Sequence, residues 1–185
     1  MGEGGVLSKI LFIAILVIAL SFVINVVVKG NDKIMANAVK DYGPINLHMG
    51  DSVEAGNFEW TIRDFKLASE VGSTIGSKFV GKRTSGVFLI VDMKVQNIGS
   101  TQKELDSVLL KVIDENGESH GPDLIAGSYL TPDGTALDFD MMNPGVLKFG
   151  KVVFEIPINS KAATLKIYSS ALVDNVAEFN FDFEE

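Results

Sequence analysis

Few side chains in this chain have the types and spacing needed for chemistry, and the first to consider is His48. It is followed directly by Met49, and an imidazole beside a thioether is a ligand pair that suits copper. Met141-Met142 supplies further thioethers, but no second Met/His pair occurs at a useful spacing. We therefore favour ordinary packing of these methionines over a copper site.

The run Asp114-Glu115-Asn116-Gly117-Glu118 looks like the start of a calcium loop. An EF-hand loop needs a bidentate glutamate at its twelfth position, where this chain has Ile125. The Asn-Gly pair instead predicts a turn between two strands, with a backbone conformation that glycine favours. Asp133, Asp138 and Asp140 could form an ion site only if the fold brings them together.

Enzyme motifs are missing from the sequence. A hydrolase triad needs a nucleophile with a histidine and a carboxylate, but the chain has no cysteine and no serine in a nucleophile elbow. Its second histidine, His120, adjoins no motif. Gly72, Gly76 and Gly81 are spread along one segment without a following helix, which excludes a phosphate loop. The sequence therefore predicts a non-enzyme and assigns no catalytic, cofactor-binding or metal-binding residue.

Charge narrows the choice of partner. The 185-residue chain has a formal net charge of −8, which argues against nucleic acid because phosphates require a basic face. Lys78, Lys82 and Arg83 nevertheless stand close together. They could contact an anionic headgroup or polymer, although a solvated loop is the favoured interpretation.

A membrane anchor is predicted at residues 10–28, which are nineteen residues without a charge. At 1.5 Å per residue, a helix of that length nearly spans the ~30 Å hydrocarbon core of a bilayer. Ala19 and Ser21 could form a signal cleavage site, but the apolar run is longer than a signal needs. The predicted organisation is a tail (1–9), an anchor helix (10–28), a linker (29–44) and a folded domain (45–185).

One face of the predicted helix carries Ser21 and Asn25, four residues apart, with Ala14 two turns earlier. Such a stripe could form a homo-oligomer by packing against another membrane helix. The favoured alternative is that Ser21 bonds to its own helix and Asn25 lies near the headgroups.

After Ile45 the apolar residues recur with a period of two, which is typical of half-buried strands. The clearest predicted strands are 58–62, 87–95, 108–112, 152–156, 165–167 and 179–183. Phe65 and Leu67 continue the first apolar face one residue late, which predicts a bulge near Arg63 and Asp64. Seven or more short strands predict an all-β antiparallel sandwich. Residues 68–86 and 124–143 are predicted to be long loops, where binding sites are commonly built.

The order of several landmarks resembles a known family. They are Gly50-Asp51-Ser52-Val53, Trp60, the run from Phe88 to Gly99, the run from Val112 to Gly117, Asn143-Pro144-Gly145 and the run from Gly150 to Pro157. This order is similar to that of a prokaryotic extracytoplasmic domain family of unknown function, often mislabelled as telomeric repeat-binding factors. The resemblance covers about residues 47–183. It implies an immunoglobulin-like fold, like that of small secreted immunogenic antigens, and no established catalytic residues.

The resemblance also bears on location. The family usually follows a lipoprotein signal or a membrane helix, and here no cysteine follows Ala19-Leu20-Ser21, so the helix must be the anchor. Lysines after the helix outnumber those before it, which would place the domain inside the cell. Long domains cross membranes largely regardless of such charges, so the resemblance decides for the extracytoplasmic side.

The predicted function is a membrane-anchored immunoglobulin-like module with a non-catalytic binding or structural role at the cell surface. Its expected partner is another protein or a cell-envelope polymer, engaged by loops or sheet edges. One alternative is a pilin-like filament subunit, although Glu3-Gly4-Gly5-Val6 lacks the expected basic residue and Lys9 would enter the helical core. The other alternative is a copper- or calcium-binding surface protein.

Overall fold

The computed structural model describes residues 44–130, 136–171 and 175–183. The predicted tail, anchor helix and nearly all of the linker lie outside these ranges, as does the predicted oligomer contact through Ser21 and Asn25. Within the described ranges, no helix combines the length and apolar character needed to cross a bilayer. The membrane anchor therefore stays a prediction.

The described residues form short strands, two unusually long strands and very little helix. The strands are β1 (Ile45–Leu47), β2 (Ser52–Ala55), β3 (Phe58–Ile75), β4 (Lys78–Asn97), β5 (Lys103–Glu104), β6 (Leu110–Asp114), β7 (Ser119–His120), β8 (Met141–Met142), β9 (Leu147–Ile156), β10 (Ala162–Tyr168) and β11 (Asn175–Asp182). The helices are a 3₁₀ turn (Ser107–Leu109) and α1 (Leu124–Gly127). This content confirms the all-β prediction.

Two sheets pack face to face around one apolar core. The first has the strand order β1-β11-β10-β6-β7 and the second the order β2-β3-β4-β9, while β5 and β8 form a separate pair. Trp60, Val91 and Phe154 of the second sheet are buried against Leu165 and Phe181 of the first. Alternation along each strand places these side chains on the inner faces, which confirms the predicted sandwich.

One pairing departs from the predicted antiparallel arrangement. β1 runs parallel to β11, with Ile45 opposite Ala177 and Leu47 opposite Phe179. These two strands come from opposite ends of the domain sequence, so no hairpin joins them. A tight hairpin turn would require antiparallel pairing, and without one the strands can pair in parallel. The prediction of a wholly antiparallel sandwich was wrong at this edge.

The predicted bulge in β3 is confirmed. Ile62 lies opposite Met93 and Asp64 lies opposite Asp92, so Arg63 is the extra residue. The Asp64 carboxylate accepts the Phe65 N–H at 2.8 Å, outside the ladder. A bulge bends and twists its strand, and this one redirects β3 where it leaves the core.

The predicted loop at residues 68–86 was wrong, because these residues continue β3 and β4 as a hairpin. Glycine and serine suggested a loop, but the turn occupies only Gly76 and Ser77, with Gly76 at φ +65°. β-Branched and aromatic residues such as Val71 and Phe79 favour strands and outweigh the interspersed small residues. The second predicted loop, 124–143, is confirmed in part over its described residues, 124–130 and 136–143, which contain α1 and β8 within irregular backbone.

A smaller correction concerns the strand predicted at residues 108–112. Its first residues form the 3₁₀ turn, and the strand begins at Leu110. The Asp106 side chain accepts the Val108 N–H at 3.0 Å, which caps the turn and holds Val108 out of the ladder.

The described chain enters at the end of the sandwich opposite the hairpin turn. Ile45 pairs near the start of β11, beside the β10–β11 connection. The turn between β2 and β3 lies at the same end, since a Cβ added to Gly56 would stand 2.6 Å from the Ser169 carbonyl oxygen. β3 runs from there through the sheet toward Gly76, so entry and hairpin turn lie at opposite ends.

Candidate functional site

The copper hypothesis receives no support from the placement of its residues. His48 lies in an exposed turn. Its ring Nδ1 is 3.3 Å from an Asp51 carboxylate oxygen, and its backbone N–H donates a hydrogen bond to the same oxygen at 2.9 Å. Met142 is buried in the core, while Met49 and Met141 are exposed. His48 thus closes a turn with Asp51, and Met142 fills the core.

The Asp114 turn is organised by hydrogen bonds of its own. The Asp114 carboxylate is fully buried and accepts the N–H groups of Asn116 and Glu118, both at 2.9 Å. His120 Nε2 lies 3.0 Å from its second oxygen. The His120 contact, joined by these N–H donors, holds the pKa of Asp114 below its usual value despite burial. Gly117 has φ +83°, as the predicted turn requires.

Two of the acidic residues farther along the chain contact the same lysine. Asp140 pairs with Lys148, which also donates to the Asp138 backbone carbonyl at 3.2 Å. Asp133 lies outside the described residues. Among the residues that the structure does describe, no group of three or more His, Cys, Asp or Glu side chains could hold a metal ion.

The distal hairpin, residues 70–75 and 78–83, is the part of β3 and β4 that continues past the strand pairing of the second sheet. Its six residue pairs run from Glu70 opposite Arg83 to Ile75 opposite Lys78. Pairing of β4 with β9 begins only at Val87, so the distal hairpin is paired only with itself in the described chain. It continues β3 and β4 outward from the sandwich.

The backbone at the centre of the distal hairpin leaves no room for side chains at two facing positions, and glycine occupies both. Gly72, with φ +144°, lies opposite Gly81, and a Cβ on Gly81 would stand 2.1 Å from the Val71 carbonyl oxygen and 2.6 Å from Phe79 Cζ. The Phe79 ring therefore lies across bare backbone, and Arg83 stacks over it at 4.4 Å. Arg83 also pairs with Glu70 at 2.8 Å. Phe79 and Arg83 thus stiffen the hairpin from one face.

The tip exposes apolar side chains next to a lysine. Ile75 is 68% exposed and Val80 is 40% exposed, and Lys78 lies between them along the hairpin. Ile75 lies opposite Lys78, and Ser73 lies opposite Val80. Because side chains two residues apart in a strand point to the same face, all four share one face of the hairpin. Apolar surface at a projecting tip is available for contact with a partner.

A polar cluster lies where the distal hairpin meets the sandwich. Lys82 Nζ pairs with Asp123, which caps α1, and with Glu155 of β9 at 3.0 Å. Thr84 donates to the other Glu155 oxygen. Lys82 also lies 5.5 Å from the centre of the Phe88 ring. The structure thus engages Lys82 with carboxylates and Arg83 with Glu70, which leaves little of the predicted basic patch.

The electrostatics of this cluster reinforce each contact. Hydrogen bonds to Asp123 and then Glu155 raise the pKa of Lys82. The Thr84 hydroxyl and Lys82 lower the pKa of Glu155. Burial acts to raise the pKa of Asp123, but the Ala126 N–H and Lys82 outweigh it, so that pKa lies below its usual value. Lys82 therefore stabilises both carboxylates in their ionised forms, and its attraction outweighs the repulsion by which Asp123 acts to raise the pKa of Glu155.

A cleft of about 260 Å³ lies between α1 and residues 136–139, beside β9. Leu124, Leu137 and Phe139 form apolar walls above Val152 and Val153. Asp123 N–H donates to the Val153 carbonyl at 2.7 Å, and Leu137 N–H donates to the Lys151 carbonyl at 2.9 Å. These bonds occupy the outer edge of β9 on either side of the cleft.

Comparison with known families identifies the domain. Residues 47–177 match the model of the domain of unknown function DUF4352. The chain belongs to the DUF4352 family. No curated protein matches the chain. The predicted membership of a domain family of unknown function is thereby confirmed, while the immunoglobulin-like fold, the extracytoplasmic location and the mislabelling of the family stay predictions.

Several solved structures are similar in fold to this DUF4352 protein. A conserved hypothetical protein from Bacillus anthracis shares 18% identity at a TM-score of 0.51, covering 69% of this chain and 93% of that one. An uncharacterized β-sandwich protein from Clostridium difficile shares 10% identity at 0.52, covering 78% and 97%. The candidate lipoprotein ycdA of Bacillus subtilis shares 13% identity at 0.51, covering 75% and 40%. At these identities, what the likenesses show is a shared fold.

Sequence reasoning missed the two most distinctive features of this DUF4352 domain. Lys82 and Arg83 were interpreted as solvated loop residues, although Glu70 and Glu155 were present to pair with them. Gly72 and Gly81 were considered only as phosphate-loop candidates. The sequence separation from Gly72 to Gly76 differs by only one residue from that between Gly76 and Gly81. Such near-symmetric placement about a turn glycine is a signal that could have indicated a hairpin.

Proposed function

We propose that this DUF4352 protein is a non-catalytic, membrane-anchored module on the extracytoplasmic side, and that the tip of its distal hairpin binds another protein or a cell-envelope polymer. One observation carries the proposal. The distal hairpin extends six residue pairs past the paired sheets and exposes Ile75 and Val80 at its end. An isolated hairpin is marginal in water, so its stiffening by Phe79 and Arg83 favours a role at the tip.

Support for the membrane attachment comes from the sequence and from one similar structure. The charge-free run at residues 10–28 is long enough to anchor the chain. The similar protein ycdA is a candidate lipoprotein, which is also a membrane-attached class. The entry of the described chain at Ile45, opposite the tip, would leave the tip free to reach a partner.

Support for a non-catalytic role comes from how titratable side chains are used. His120 and Asp114 close a turn, His48 and Asp51 close another, and Lys82 joins three elements. Each of these contacts closes a turn or joins elements of the fold, so the proposal needs no chemical role for the groups that make them.

The test shortens the tip while keeping its turn. Deleting Thr74, Ile75, Lys78 and Phe79 removes two residue pairs and joins Ser73 to Val80 through the Gly76–Ser77 turn. The full chain and this variant are incubated with purified Bacillus subtilis cell-wall sacculi and, separately, cross-linked in native membranes. We expect cosedimentation or specific cross-links with the full chain and their loss with the shortened tip.

A matched substitution controls for nonspecific stickiness. Ile75 and Ile158 are both exposed isoleucines, at 68% and 66%. Ile75→Ser should lower binding, whereas Ile158→Ser should leave it unchanged. Equal binding by the full chain and the shortened tip would refute the proposal. The filament alternative rests on residues 1–28, outside the described ranges, and negative-stain microscopy of the full chain would reveal filaments if it held.

A further inference from the structure

We propose that the distal hairpin is a hinged arm, and that a latch centred on Lys82 holds it in one position on the sandwich. This is a conformational device within the fold, and it does not depend on what the tip binds. It rests on an irregular joint, a three-element ion cluster and a buried contact that the latch maintains.

The joint lies where β3 and β4 lose their regular pairing. Ala68 lies opposite Phe88, but the next pair is Glu70 opposite Arg83. Ser69 therefore faces the four residues 84–87 of β4. Because pairing with β9 begins at Val87, residues 84–86 have no strand partner on either side within the described chain. A segment without ladder hydrogen bonds on either side can change direction more easily than paired strand.

The latch crosses this joint. Lys82 belongs to the arm, whereas Asp123 caps α1 and Glu155 belongs to β9. Thr84, within the joint, donates to the same Glu155 side chain. By contrast, the pair between Glu70 and Arg83 lies wholly within the arm and cannot fix its position. Lys82 is thus the charged residue of the arm that is tied to the sandwich in the described structure.

A buried contact marks the latched position. Val71 is 3% exposed and belongs to a small cluster with Phe88, Ala126 and Val153 on the outer face of the second sheet. Tyr129 and Leu130 pack against the same cluster. Swinging the arm away from α1 would uncover Val71, so apolar packing and the latch oppose release together. The outward position is therefore a minor state until the latch is broken.

The chain is well suited to a direct test, because it has no native cysteine. Ser77→Cys at the turn and Asn159→Cys in the exposed β9–β10 turn allow two spin labels on the full chain. Double electron–electron resonance then gives the distribution of distances between arm and sandwich. We expect one narrow distribution for the labelled parent, and a distribution at least twice as broad, or a second peak, after Lys82→Met.

Controls separate latch loss from misfolding. Lys78→Met removes a lysine from the same strand that has no ion pair in the described structure, and it should leave the distribution narrow. Glu155→Gln weakens the latch without removing side-chain volume, and it should broaden the distribution even if Lys82→Met fails to fold. An unchanged narrow distribution in both Lys82→Met and Glu155→Gln would overturn the proposal. So would an equally broad distribution in the labelled parent.

Discussion

The side-chain amide of Asn97 donates to the backbone carbonyl of Met142 at 2.8 Å, joining the end of β4 to β8. Its second N–H donates to the Thr101 carbonyl at 3.0 Å, and its oxygen accepts the Gly99 N–H at 2.9 Å. Asn97 is fully buried. One polar side chain thus satisfies three backbone groups and fixes the chain as it leaves the longest strand.

Replacing Asn97 should therefore destabilise the domain. Asn97→Ala leaves buried backbone groups without partners, which should lower the free energy of unfolding by about 2–3 kcal/mol. Urea unfolding of the full chain measures this change. The matched control is Asn46→Ala, at an exposed position in β1, where we expect less than about 0.5 kcal/mol. Equal effects at the two positions would contradict this account of Asn97.

Gly81→Ala should unfold the distal hairpin locally. The added Cβ would stand 2.1 Å from the Val71 carbonyl oxygen and would displace the Phe79 ring. Hydrogen exchange of residues 70–83 should accelerate on the order of tenfold or more, while exchange in β10 and β11 stays unchanged. Gly121→Ala is the control, because a Cβ there meets open space. Unchanged exchange in Gly81→Ala would show that the hairpin tolerates the clash.

Acid stability should depend on Asp114. Its pKa is lower in the folded protein than its ordinary value of 3.8, so its ionised form stabilises the fold above that pH. This contribution is lost as the pH falls through the lower, folded pKa. We expect Asp114→Asn to lower stability at neutral pH and to flatten the decline below about pH 4.

The measurement for Asp114 is the free energy of unfolding between about pH 2 and pH 6 for both proteins. Asp51, Asp123 and Glu155 also have lowered pKa values, but they titrate in both proteins and so cancel in the difference. Parallel pH profiles would mean that Asp114 does not contribute to acid unfolding.

Phe181 should be among the costliest side chains to truncate. It is 1% exposed, and its ring centre lies 4.9 Å from that of Phe65 and 4.8 Å from that of Phe179. Phe181→Ala should lower the free energy of unfolding by about 3–5 kcal/mol through lost burial and a residual cavity. Phe149→Ala is the control, since that ring is 51% exposed and contacts Arg63. Its expected cost is below about 1 kcal/mol, measured by the same urea titration.

Much of the sandwich could be predicted because inward and outward side chains alternate clearly. The apolar series through Trp60, Val91 and Phe181 identified inner faces correctly. Even the bulge at Arg63 was visible, because a slip in phase reaches every later residue of a strand. These signals are local, and a single segment of sequence contains them.

The remaining features depend on contacts between distant segments. The parallel pairing of Ile45 with Ala177 and the contacts of Lys82 with Asp123 and Glu155 join residues far apart in the chain. No local period encodes them. From the sequence, Asn97 is merely one residue of the run from Phe88 to Gly99, because its partner Met142 lies 45 residues away. The candidate site was missed for the same reason.

The bonds that Asp123 and Leu137 make to β9 affect how the protein behaves when crowded. β9 includes Val152, Val153 and Phe154, and a bare edge with such residues would be a template for cross-β stacking between molecules. Here the two N–H donors already engage the outward carbonyls of Lys151 and Val153. A change that breaks both bonds would uncover this edge, so a chain without them should form fibrils sooner than the intact chain.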